Sequence, residues 1–122
     1  MSKGKVLIID DEKLLVKSTK MALEAFGFET EGALTGREGI QKAEEFKPDA
    51  ILLDIMMPEM DGWQVLALIK ENSKIKDIPV IIFTAKEYSD GKLLAEKHGA
   101  VDFIAKPFEL ADLIEAVGKY TG

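Results

Sequence analysis

Cysteine is absent from the chain and histidine occurs once, at His98, so no disulfide framework, thiolate zinc site or His-rich metal centre is available. Any metal must be held by oxygen. No apolar run reaches the roughly 20 residues of a membrane span, which excludes a transmembrane helix and a signal peptide. Positive charge is in deficit: 16 Lys and Arg face 22 Asp and Glu, giving a net charge of −6 and a pI near 4.8. That balance argues against direct binding of nucleic acid, because phosphate neutralisation needs clustered cations. The absence of cysteine and of targeting signals favours the cytoplasm. What is present is 47% hydrophobic and 31% charged residues over 122 positions, the composition of a globular protein sized for a single domain, residues 1–122.

Short β-rich runs alternate with segments of helical period five times, the pattern of βαβ units and a parallel sheet. The strands are expected at 6–9, 28–32, 50–53, 80–83 and 101–105. The first helix is expected over 12–26, with Leu15, Thr19, Ala22, Leu23 and Phe26 on one face and Gly27 as its stop. The second spans 36–46; the third carries Val65, Leu66 and Ile69; the fourth, over 87–98, is poor in apolar residues; the fifth carries Leu110, Leu113, Ile114 and Val117. The first, third and fourth strands are almost continuous Val, Ile and Leu, as strands covered on both faces require, whereas the second is more polar and suits an edge. Right-handed crossovers then favour a doubly wound α/β sheet of order 2-1-3-4-5 with helices on both faces.

In that order the strand ends bring chemistry together: Asp10-Asp11 after the first strand, Asp54 after the third, Thr84 after the fourth and Lys106 after the fifth. Open α/β sheets bind ligands at this carboxyl edge, where the strand order reverses. Two carboxylates about 4 Å apart repel by roughly 4 kcal/mol at an effective dielectric near 20, so three together call for cationic compensation. Lys106 supplies one charge. An all-oxygen set of Asp11, Asp54, a backbone carbonyl just past Asp54 and waters suits Mg2+. A carboxylate is also a nucleophile toward phosphorus, with Lys106 and a Thr84 hydroxyl placed to neutralise and hydrogen-bond the phosphoryl oxygens. Singly, an Asp at a strand end is a helix cap or a turn residue; here four strand ends coincide. The Lys106-Pro107 bond is either an ordinary trans turn or a cis bond that turns Lys106 into the crevice.

Over its whole length the chain resembles the receiver domains of two-component response regulators, with the flavodoxin-like (βα)5 fold that this implies. The residues that carry the resemblance are Asp10-Asp11, the stretch Asp54-Ile55-Met56-Met57-Pro58-Glu59-Met60-Asp61-Gly62, Thr84-Ala85 and Lys106-Pro107-Phe108. The resemblance implies that Asp54 accepts a phosphoryl group from a histidine kinase or histidine phosphotransfer protein. It further implies Asp11 as a direct Mg2+ ligand, Asp10 acting through metal-bound water, and the Met56 carbonyl as a further ligand. Thr84 becomes the switch hydroxyl, Phe103 the switch aromatic, and Lys106 the phosphate-binding cation with the following peptide in cis.

Other residues carry weaker claims. Trp63 reads as packing at the start of the third helix, His98 as a surface residue at the end of the fourth, and the Met56, Met57 and Met60 side chains as the wrong ligands for a hard ion. Met56 and Lys86, two positions after Asp54 and Thr84, offer no group to accept a proton from an attacking water, so slow self-dephosphorylation is expected. The leading reading is a signalling phosphoacceptor, not an enzyme beyond its own phosphorylation and dephosphorylation. Its output is partner binding by the face of the fourth helix, fifth strand and fifth helix, as a monomer or a weak phosphorylation-dependent dimer. A receiver piece of a larger regulator or hybrid kinase is an alternative. So is a Mg2+-dependent Asp-nucleophile phosphohydrolase, although that chemistry places an acid two residues after the nucleophile, where this chain has Met56. An inert adaptor with a decayed site is disfavoured by the presence of all five site groups.

Overall fold

Alternation of side chains along almost wholly apolar strands determines how this chain packs. The computed structural model describes residues 3–57, 61–85, 91–106 and 108–121, with only the backbone of 84, 85, 91 and 92. Strands β1 (Lys5–Ile9), β2 (Glu29–Ala33), β3 (Ala50–Leu53), β4 (Val80–Ala85) and β5 (Asp102–Lys106) alternate with helices α1 (Lys13–Ala25), α2 (Gly36–Phe46), α3 (Gly62–Glu71), α4 (Gly91–Lys97) and α5 (Leu110–Thr121). All strand pairs are parallel and the order is β2-β1-β3-β4-β5, the flavodoxin-like arrangement expected.

Odd and even strand positions feed separate cores. Leu7, Ile9, Ile51, Leu53, Val80 and Ile82 pack with Ala43 of α2, Val65, Leu66 and Ile69 of α3 and Ala95 of α4. Val6, Ile8, Leu52, Ile81 and Phe83 pack on the other side with Val16 and Leu23 of α1 and Leu113, Ala116 and Val117 of α5. A one-residue slip of β1 or β3 would exchange these sets, so the register is strongly specified.

Several boundaries differ from expectation. The β2 and β5 strands each lie one residue later, because the ladder pairs Glu29 with Lys5 and Ala85 with Lys106. For the same reason β4 runs on to Ala85 beside β5. Helix α1 turns Val16, Thr19 and Leu23 inward, while Leu15 is half-buried and Phe26 is 42% exposed. Leu23, rather than Phe26, fills the space against Phe28 and β1. Of the expected fourth helix, 87–90 lie outside the described residues.

Candidate functional site

The last paired residues of β1 and β3, Ile9 and Leu53, stand opposite one another, so the next residue of each strand emerges at the same level of the carboxyl edge. Backbone hydrogen bonds hold both there: the Asp10 amide donates to the Ala33 carbonyl at 3.0 Å, and the Asp54 amide donates to the Ile9 carbonyl at 2.9 Å. The Asp10 side chain is fully buried and that of Asp54 nearly so, while Asp11 is exposed. Carboxylate oxygens from all three lie within 4.8 Å of one another.

Lys106 arrives from the end of β5. Its ammonium donates to Asp10 Oδ2 at 2.7 Å and stands 3.5 Å from Asp54 Oδ2, with the exposed Glu12 carboxylate 3.9 Å away. Each buried acid also accepts one backbone amide: Glu12 donates to Asp10 Oδ1 and Met56 to Asp54 Oδ1, both at 3.0 Å. Burial pushes the Asp10 carboxyl above its ordinary value, assisted by the charge of Asp54 and opposed by the bonds from Lys106 and Glu12. One ammonium therefore faces three clustered carboxylates. The surplus negative charge and the all-oxygen donor set fit a hard divalent cation such as Mg2+, and Asp11 is the member open to solvent.

The segment after Asp54 is held by α3. Asp61 caps that helix, accepting the Gln64 amide at 3.0 Å while the Gln64 side chain accepts the Asp61 amide at 3.2 Å. Gly62 then sits so close that an added Cβ would lie 2.3 Å from Ile55 Cα and 2.5 Å from the Asp54 carbonyl oxygen. Only glycine permits this approach.

Of the other expected site residues, Phe103 is half-buried in β5 against the core on the α2, α3 and α4 side. Thr84 pairs with Ala105 in the ladder, but its side chain lies outside the described residues. Pro107, and with it the expected cis peptide after Lys106, also lies outside them, as do Met60 and Lys86. Met56 is 49% exposed, directly past the buried acid. Trp63 packs against the core as expected, and exposed His98 stacks on it with ring centroids 4.6 Å apart. Sequence reasoning missed Phe83 as a neighbour of the site: its ring centroid lies 4.7 Å from the Lys106 ammonium. Strand alternation marks Phe83 as core and carries no signal of the cation above it.

Known proteins place this arrangement. The family model described as the response regulator receiver domain matches residues 6–118. The chain is 36% identical over 117 residues to the transcriptional regulatory protein PrrA of Mycobacterium leprae, covering 96% of this chain and 49% of that protein. Thus it spans about half the length of such relatives. Against the polar-differentiation response regulator DivK of Brucella anthropi, identity is 33% over 117 residues, covering 96% of this chain and 95% of the relative. Among solved structures, the Vibrio cholerae chemotaxis protein CheY4 superposes with a TM-score of 0.88 at 28% identity, covering 98% of each chain. The receiver domain of the Francisella response regulator 1452 does so with a TM-score of 0.87 at 31% identity, covering 97% of this chain and 96% of that one. The chain belongs to the response regulator receiver domain family.

Proposed function

We propose that Asp54 is a phosphoacceptor and that residues 1–122 act as one receiver module, its phosphorylation state controlling which protein the chain binds. The observation that carries this reading is the buried Asp54 carboxylate at the end of β3, facing the Lys106 ammonium at 3.5 Å within a cluster of two further acids. The donor is a phosphohistidine on a histidine kinase or histidine phosphotransfer protein. An Asp54 oxygen forms the new P–O bond as the P–N bond breaks, and the electron pair returns to the ring nitrogen; with a proton carried by the donor's other ring nitrogen, the imidazole leaves neutral. Asp11, Asp54 and the Met56 carbonyl would hold Mg2+, with Asp10 reaching it through water, and the ion would supply charge neutralisation for the transferring oxygens. Lys106 holds one of those oxygens, and the Asp10 carboxylate keeps the ammonium directed inward. The Thr84 hydroxyl donates to another oxygen, and Phe103 follows it to re-order the face of α4, β5 and α5 that a partner reads. The net charge of −6 supports a protein partner rather than nucleic acid. This is stoichiometric signalling by a cytoplasmic protein, monomeric or weakly dimeric when phosphorylated, and not turnover of a substrate. No described helix is long and apolar enough to cross a membrane.

The test is intact mass after incubation with Mg2+ and acetyl phosphate. The parent should gain one phosphoryl group, about 80 Da, and Asp54→Ala none. An Asp54→Ala variant that gains the same mass as readily would overturn the assignment.

A further inference from the structure

Phe83 and Lys106 lie on adjacent strands. In the β4–β5 ladder Phe83 pairs with Ile104 and Ala85 with Lys106, so Phe83 and Lys106 are diagonal neighbours on one face of the sheet. Phe83 is fully buried, and the Lys106 ammonium stands 4.7 Å from its ring centroid. A cation within about 6 Å of a ring face is attracted by the ring quadrupole, more strongly where water is excluded. The Phe108 ring, 6.3 Å away and tilted by 49°, packs against Phe83. On its other side the same ammonium meets Asp10 at 2.7 Å and Asp54 at 3.5 Å, and the competing Glu12 carboxylate at 3.9 Å is two-thirds exposed.

We infer that Phe83 is a positioning residue for phosphoryl transfer, its ring face holding the Lys106 ammonium over the acceptor rather than letting it follow Glu12 into solvent. The inference rests on the phosphoacceptor reading of Asp54. It assigns a role in the site to a side chain that hydrophobic patterning treats as core alone. A long flexible side chain bearing a point charge keeps several rotamers unless something opposes its swing, and carboxylates on one side do not suffice when one of them is about to be modified. Phosphorylation leaves both the ring and Asp10 unchanged, and the ring adds a second fixed contact to the one that Asp10 makes.

The contact is tested by replacing Phe83 with phenylalanines bearing one, three and five fluorines, which weaken and then reverse the quadrupole while keeping nearly the same shape. Two readouts are taken on the full chain. In metal-free protein, NMR should place the Lys106 side-chain methylene protons upfield of their usual position through the ring current, with the displacement declining along the series. With Mg2+ and saturating acetyl phosphate, the rate of mass gain should fall progressively, by about three- to tenfold across the series. Phe83→Leu should match the most fluorinated variant. Thermal unfolding of each protein keeps packing losses separate from these effects. Rates that stay flat along the series, or Lys106 protons without an upfield displacement in the parent, would overturn the positioning role. A parent that gains no mass would instead overturn the phosphoacceptor reading, and the positioning role with it.

Discussion

Asp10 carries an electrostatic cost of burial. Its carboxyl is fully buried and is pushed up from the ordinary 3.8, burial being the largest cause. The folded chain therefore keeps this proton to higher pH than the unfolded chain does. The metal-free protein gains from Asp10 below the ordinary value and loses that gain as pH rises from 3.8 through the raised folded value. Above that raised value the penalty is fully present, so at such pH Asp10→Asn should raise the stability of the metal-free protein by on the order of 1 kcal/mol. Thermal melts in a chelator check this, and a lower midpoint for Asp10→Asn would contradict it. Exposed Asp11 has little to lose on substitution. Asp11→Ala should leave the metal-free midpoint nearly unchanged while weakening Mg2+ binding by at least tenfold in calorimetry. Unaltered Mg2+ affinity would remove Asp11 from the ligand set.

At the scale of elements, the close seat of α3 against the acceptor loop joins stability to chemistry. A Gly62→Ala methyl meets backbone atoms of Asp54 and Ile55, which cannot yield as a side-chain end can. Gly62→Ala should destabilise by about 1–3 kcal/mol and slow phosphorylation of Asp54, as read by denaturant unfolding and mass gain. Nothing lies within 4 Å of the corresponding position at Gly118, inside α5, so Gly118→Ala should stabilise by about 0.5–1 kcal/mol and leave phosphorylation unaltered. Equal effects at the two glycines would refute the packing argument.

These elements also show what was legible in the sequence. Apolar continuity at 50–53, and the inward Ile40 and Ala43 with Pro48 ending the connection after 36–46, match β3 and α2 to the residue. Composition places the β2 and β5 strands one residue early because their limits depend on partner strands. Asp10, Asp11, Asp54 and Lys106 were legible because strand ends with the right groups coincide. Phe83 was not, because a ring beneath a cation and a ring in a core have the same pattern.

For the whole molecule, reversal of strand order between β1 and β3 gathers groups as distant as Asp10 and Lys106 into one pocket, and β4 and β5 extend from that pocket to the opposite edge of the sheet. The α4 helix, on that side, shows Leu93 at 68% exposure and buries Ala95. A thinly packed element of this kind is one whose equilibrium a site can bias. Phosphorylation should therefore shift NMR resonances at Phe103 and across α4, β5 and α5, and the Trp63 ring stacked on His98 gives a fluorescence report from the far end of α4. Shifts confined to the segment between Asp54 and Gly62 would contradict that coupling.

The most direct measurement is chemical mapping of the phosphoryl group. Borohydride reduces an aspartyl phosphate to homoserine, leaving other carboxylates intact, and peptide mass spectrometry then locates the altered residue. After incubation with Mg2+ and a phosphorylated histidine protein or acetyl phosphate, the account predicts homoserine at position 54 and at no other. Homoserine at Asp10 or Asp11, or no conversion in protein that has gained the phosphoryl mass, would contradict it.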